Sequence, residues 1–107
     1  MYVDPEVLHE DQFVAVGEHV TIKCHASNFK TVIWEYRSGV QPNVHGTIFD
    51  RRLTSGYQHG FTVDKSTYEL TILEAKLDNT GEYRCIEHDG YFTNHITKLY
   101  VTGTRTM

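Results

Sequence analysis

Seven histidines in a chain of 107 residues are the side chains best suited to chemistry, and metal binding is the chemistry they would do. His88, Asp89 and His95 lie close together near the end of the chain, and His25 follows Cys24. A metal needs several ligands converging on one point, which in local structure means spacings such as His-x-His or His-x-x-x-His, and neither occurs. Solvated surface histidines are the simpler reading. Ser27, Ser38, Ser55 and Ser66 fall in loops or turns, without a Gly-x-Ser-x-Gly elbow, and no glycine-rich loop precedes a helix to cradle a phosphate. The expectation is a protein that is not an enzyme, with no catalytic residue, metal or cofactor.

The cysteines carry a different chemistry. Cys24 and Cys85 are the only two, too far apart for a zinc ligand set or a C-x-x-C redox pair. One structural disulfide in an oxidising compartment is the reading; two buried free thiols in a reducing one is the alternative. Closing so long a loop contributes roughly 4 kcal/mol in the chain-entropy model, a large share of the roughly 5–15 kcal/mol that holds a domain together. Trp34 stands ten residues after the first cysteine, and the run Asn79-Thr80-Gly81-Glu82-Tyr83-Arg84-Cys85 leads into the second.

At this length residues 1–107 form a single domain. The net charge of −4 and a pI near 5.9 give no basic field for a phosphate backbone, so nucleic acid is excluded as a partner. Charges are interspersed, and apolar runs are only a few residues long, so the segment itself neither coats nor enters a membrane. Asn28, Asn43, Asn79 and Asn94 all lack a hydroxyl residue two positions on, so N-glycans are not expected. An extracellular location is expected, with the signal peptide and any membrane anchor absent from this segment.

Short alternating segments separated by turn residues, with no sustained 3.6-residue stripe, indicate an all-β chain. Phe13 to Val16 ends at Gly17-Glu18, and His19 to Cys24 follows with Val20, Ile22 and Cys24 on one face. Thr31 to Arg37 puts Val32, Trp34 and Tyr36 inward and Ile33, Glu35 and Arg37 outward. Ser38 to Gly60 is glycine-rich and too long for a turn, with a strand at Thr47 to Asp50 and room for one or two edge strands. Phe61 to Val63 and Thr67 to Leu73 come next, Tyr68, Leu70 and Ile72 pointing inward and Leu73 out. Gly81 to His88 places Tyr83 and Cys85 inward, and Phe92 to Thr102 places Thr97, Leu99 and Val101 inward.

Asp89-Gly90 marks a hairpin between the last two strands. A two-residue turn there pairs Ile86 with Thr93, which would put Leu99 and Val101 on the outer face. Either the loop has an odd number of residues or a bulge restores the register.

Taken together, Val16-Gly17-Glu18-x-Val20-Thr21-Ile22-x-Cys24, Trp34, Leu70-Thr71-Ile72 and Gly81-x-Tyr83-x-Cys85 resemble the immunoglobulin superfamily, specifically a V-type (variable-like) domain, over essentially the whole chain. The resemblance implies an antiparallel Greek-key β-sandwich pinned by an inter-sheet Cys24–Cys85 disulfide, with Trp34, Tyr83, Leu70 and Ile72 in the core. The long Trp34-to-Phe61 interval favours the V-type over the shorter constant-type, with an intermediate-type domain as the alternative.

The chain departs from the V-type pattern where function is concerned. The aspartate six residues before the second cysteine is Asn79, and its arginine partner is Gly60, so the family's ion pair is missing at both ends. Asp78, His59, Arg51 or Arg52 are candidates for a local substitute. The Phe-Gly-x-Gly bulge of antigen receptors is replaced by Thr93-Asn94-His95-Ile96, and the pairing aromatic and glutamine by Glu35 and Arg37. Antibody-style chain pairing is therefore not expected.

Family members commonly bind through the outer face of the strands lettered C, F and G, which here would present Ile33, Glu35, Arg37, Arg84, Ile86, His88, Ile96, Lys98 and Tyr100. Apolar area, opposite charges and an aromatic together have the composition of a specific protein interface. The expected function is extracellular recognition or adhesion by contact with a protein partner, including a homophilic dimer in which Glu35 of one copy meets a basic residue of the other. Asp89, Gly90, Tyr91 and Phe92 form the candidate loop surface. Alternatives are a structural spacer domain, or an antigen-receptor-like or glycan-binding domain using its loops, with Tyr57, Tyr91 and Phe92 stacking on sugars.

Overall fold

The computed structural model of the chain describes residues 8–24, 32–41, 43–87 and 92–103. Among these residues the strands are β1 (Leu8–Ala15), β2 (Val20–Ile22), β3 (Ile33–Ser38), β4 (His45–Asp50), β5 (Phe61–Val63), β6 (Leu70–Ile72), β7 (Gly81–Glu87) and β8 (Phe92–Thr102), with a 3₁₀ turn at Leu77–Asn79. They form a five-stranded sheet ordered β1-β8-β7-β3-β4 and a three-stranded sheet ordered β2-β6-β5. The two sheets pack face to face as an immunoglobulin-type sandwich.

Alternation along each strand decides what lies between the sheets. Ile22, Trp34, Ile48, Leu70, Ile72, Tyr83 and Leu99 are buried there, with Cys24 and Cys85 joined as a disulfide. Trp34 pairs in register with Cys85, which sets the indole in the disulfide's layer. Its ring N–H donates to the Tyr68 carbonyl at 2.8 Å. The Tyr83 hydroxyl donates to the Asn79 carbonyl at 2.5 Å, closing the corner before β7.

The sheet is not antiparallel throughout, because β1 runs parallel to β8, Leu8 opposite His95 through Ala15 opposite Thr102. Gly17, at φ +89, makes the turn that allows this. The chain leaves the edge of one sheet there and begins β2 in the other, held by Gly17 N–H to the Ala75 carbonyl at 2.8 Å. The first strand therefore docks on the last one and forms no hairpin with β2.

The register question is settled by a bulge. Ile86 pairs with Thr93 and Glu87 with Phe92, but Cys85 pairs with His95, leaving Asn94 as the extra residue. Thr97, Leu99 and Val101 accordingly face the core. Asp89-Gly90 lies outside the described residues.

The segment expected from Thr67 to Leu73 is a strand only over Leu70–Ile72. The Asp64 carboxylate accepts N–H bonds from Ser66 at 2.6 Å and Thr67 at 3.1 Å, and Tyr68 adopts φ +59, so this stretch is a turn. Leu73 points outward, as its parity requires.

No substitute for the family's ion pair forms at Asp78, His59 or Arg52 among the described residues. Arg51 lies 3.9 Å from the carboxylate of its neighbour Asp50 and reaches nothing further away. Asn79 instead caps the 3₁₀ turn, its side-chain oxygen accepting the Lys76 N–H at 2.7 Å. Gly60, at φ +89, accepts the Leu73 N–H through its carbonyl. Two hydrogen-bonded turns thus stand where a partly buried charge pair would otherwise lie.

Candidate interaction face

The outer face of the five-stranded sheet is built by the residues that alternate with the core. From β3 come Ile33, Glu35 and Arg37, from β7 Glu82, Arg84 and Ile86, and from β8 Ile96, Lys98 and Tyr100. On β1, Val14 is buried and Glu10 reaches toward the buried His95, so His9, Asp11 and Phe13 face outward. β1 adds a fourth column that the sequence reading left out. The alternation about Val14 was legible, but the pairing with β8 joins segments at opposite ends of the chain and leaves no local signal.

Register orders these side chains into rows. Arg37 faces Glu82, Glu82 faces Lys98 and Lys98 faces Asp11, so four neighbouring strands carry charges of strictly alternating sign. In the next row Glu35 faces Arg84, Arg84 faces Ile96 and Ile96 faces His9. Among the described residues none of these cross-strand neighbours closes to an ion pair, so the charges stand in register without pairing across the strands. Arg84 instead bonds Glu82 on its own strand, Nε to Oε2 at 3.0 Å, a half-exposed pair contributing at most about 1 kcal/mol.

Two of the expected contact residues are not free surface. Ile86 is 7% and Ile96 8% exposed, outside the main core yet covered on the outer face. The exposed apolar area lies instead at the sheet margin, where Phe13, 68% exposed, stacks on Tyr100, 40% exposed, with ring centroids 5.0 Å apart.

Two grooves open on this face. One, about 160 Å³, is lined by Glu35, Arg37, His45, Thr47 and Arg84. The other, about 280 Å³, runs between Ser38, Gly39, Thr80 and Gly81 on one side and Lys98 and Tyr100 on the other. Arg37, Glu82, Arg84 and Leu99 complete its lining. A side chain at Gly81 would collide with the Arg37 carbonyl oxygen and come within 2.8 Å of the Tyr36 ring.

His95 is corrected from a surface residue to a buried one. It is 1% exposed, its Nδ1 lies 2.7 Å from the Lys23 carbonyl oxygen and its Nε2 3.7 Å from the Glu10 carboxylate. The bulge at Asn94 causes this, by turning position 95 inward beside Cys85. His95 thereby links the β1 edge to the segment following β2. Among the described residues no cluster of His, Cys, Asp and Glu is arranged to hold a metal.

Tyr57, a candidate sugar-stacking residue, is half-buried and packs edge-on against Phe61 with centroids 5.4 Å apart. Its ring is part of the core margin and is not a free platform. His88, Asp89, Gly90 and Tyr91 lie outside the described residues, as does the side chain of Phe92.

Titration behaviour marks structure in this molecule. Burial pushes the Tyr83 hydroxyl far above its ordinary range, and burial likewise raises Tyr36, whose hydroxyl donates to the Asp78 carbonyl at 2.7 Å. The N–H groups of Ser66 and Thr67 hold the exposed Asp64 carboxyl below its ordinary value.

Comparison with known proteins agrees with this architecture. The family model described as "Immunoglobulin domain" matches residues 10–90. The mouse protein "Selection and upkeep of intraepithelial T-cells protein 4" is 27% identical over 95 residues, covering 82% of this chain and 18% of the relative. The chain thus spans less than a fifth of that curated relative's length. A crystal structure of a mutant extracellular fragment of novel immune-type receptor 11 superimposes with a TM-score of 0.68 at 25% identity, covering 89% of this chain and 98% of that one. No helix among the described residues is long and apolar enough to cross a membrane.

Proposed function

The chain belongs to the immunoglobulin domain family, and from that premise we propose that it is an extracellular, V-type recognition domain that binds a protein partner through the outer face of β3, β7 and β8, extended by the neighbouring β1. The observation that carries this reading is the exposed Phe13–Tyr100 stack beside the alternating charge rows. A monomer gains little from holding two large aromatics in solvent, whereas a partner covering them gains both buried area and ring contacts. The charge rows then set which partner fits and in what register.

A spacer role is favoured by one specific observation. The Arg84–Glu82 pair and the covered Ile86 and Ile96 leave the centre of the face satisfied within the chain. Cell staining with the multimerised domain separates the two readings. Recognition predicts binding that falls at least tenfold in the variant Glu35→Lys and is retained in Thr62→Lys on β5 of the opposite sheet. An absence of staining across a broad panel of cell types, or equal staining by both variants, would favour the spacer.

A further inference from the structure

We infer that the partner this face fits is a second copy of the same chain, related by a two-fold axis running along the strands between β7 and β8. The inference rests on the recognition reading above and names the occupant of its face. The reason is the symmetry of the charge row Arg37, Glu82, Lys98, Asp11. A row of four alternating signs is antisymmetric about its midpoint. When two such faces meet across a two-fold axis through that midpoint, every position meets the position on the other side of the centre. Glu82 then meets Lys98 of the other copy, and Arg37 meets Asp11. No like charges in the row are opposed.

The rows on either side obey the same operation. Glu35 comes opposite His9, a contact between acceptor and donor, and Arg84, whose guanidinium stays on Glu82 of its own strand, comes opposite the covered Ile96. Phe13 comes opposite Gly39, which lines the 280 Å³ groove together with Ser38, Thr80 and Gly81. Gly39 donates its N–H to the Thr80 carbonyl at 2.9 Å, one residue beyond the Gly81–Leu99 pair, and that groove, lined by these small residues together with Arg37, Glu82 and Lys98, lies where the exposed ring of the other copy arrives. An exposed aromatic and a small-residue groove on one face, placed symmetrically about the axis, are the two halves of one isologous contact.

Paired charge variants test the axis as well as the association. In Lys98→Glu two carboxylates face each other across the axis, and in Glu82→Lys two ammonium groups do. Each variant alone is expected to self-associate at least tenfold more weakly than the parent in sedimentation velocity at low salt. An equimolar mixture of the two restores opposite charges at both contacts and is expected to associate as tightly as the parent. The exposed pair Arg37→Glu with Asp11→Lys repeats the test should Glu82→Lys fail to fold. A parent chain that stays monomeric at roughly millimolar concentration, where weak association still registers, would overturn the inference. So would a mixture no tighter than its components. Either result leaves the cell-staining test of a different protein partner intact, so failure of the self-association and failure of the recognition reading are separable.

Discussion

At the scale of single residues, hydroxyl and carboxyl groups tie down the corners of the sandwich. Tyr83 is buried and spends its hydroxyl on the Asn79 carbonyl, so Tyr83→Phe leaves that carbonyl without its partner. The expected cost is about 1 kcal/mol in urea unfolding, the ordinary net value of such a bond. Because burial raises Tyr83 and Tyr36 above the ordinary value of 10.0, their contribution is fully present below pH 10 and is lost as the pH rises beyond it. Absorbance titration should show Tyr83, one of seven tyrosines, ionising only as the chain unfolds, with Tyr36 ionising later than an exposed tyrosine; smooth ionisation of all seven together in the folded state would contradict their burial. Asp64 has the opposite sign. Its carboxyl is depressed below 3.8, so the turn it holds is intact above that pH and loosens as the pH falls below it. Amide shifts of Ser66 and Thr67 that titrate with a midpoint at or above pH 3.8 would rule this out.

At the scale of elements, close approach and strand docking decide the fold. β7 crosses β3 where Gly81 has no room for a β-carbon, so Gly81→Ala should destabilise by about 1–3 kcal/mol, the usual cost of overpacking, measured by the shift in urea midpoint. The outer edge of β4 is already used, since Thr54 donates its N–H to the Ile48 carbonyl at 2.9 Å and its hydroxyl to the Thr47 carbonyl at 2.6 Å. Over Thr47 and Ile48 that edge is therefore closed to strand addition. β1 is held at the other edge by its parallel pairing and by His95, so His95→Leu should speed amide hydrogen exchange in β1 more than in β7. The positions of Trp34, Tyr83 and the two cysteines were legible in the sequence, because a two-residue period and a few fixed spacings determine them locally. The bulge at Asn94 was legible only as one of two alternatives. The burial of His95 lay in the same alternation that turns Thr97, Leu99 and Val101 inward, but a polar ring carries no apolar signal to mark it as core. The docking of β1 on β8 was not legible, so Phe13 and Asp11 went unread as members of the outer face.

At the scale of the whole molecule, one disulfide joins two sheets that each lack the area to stand alone. Replacing both cysteines with alanine should remove roughly 4 kcal/mol of stability by releasing the chain between Cys24 and Cys85, and calorimetry on the variant measures it. The sandwich so held presents one face with alternating charges and an aromatic margin, and the function follows from where a partner lands. Hydroxyl-radical footprinting of the domain, free and bound to cells that it stains, reads this directly, because Phe13 and Tyr100 face outward from the five-stranded sheet while Leu73 is exposed at the end of β6 in the other sheet. Binding through the outer face of the five-stranded sheet predicts that Phe13 and Tyr100 become protected from oxidation while Leu73 oxidises as in the free domain. Protection of Leu73, with Phe13 and Tyr100 unchanged, would contradict it.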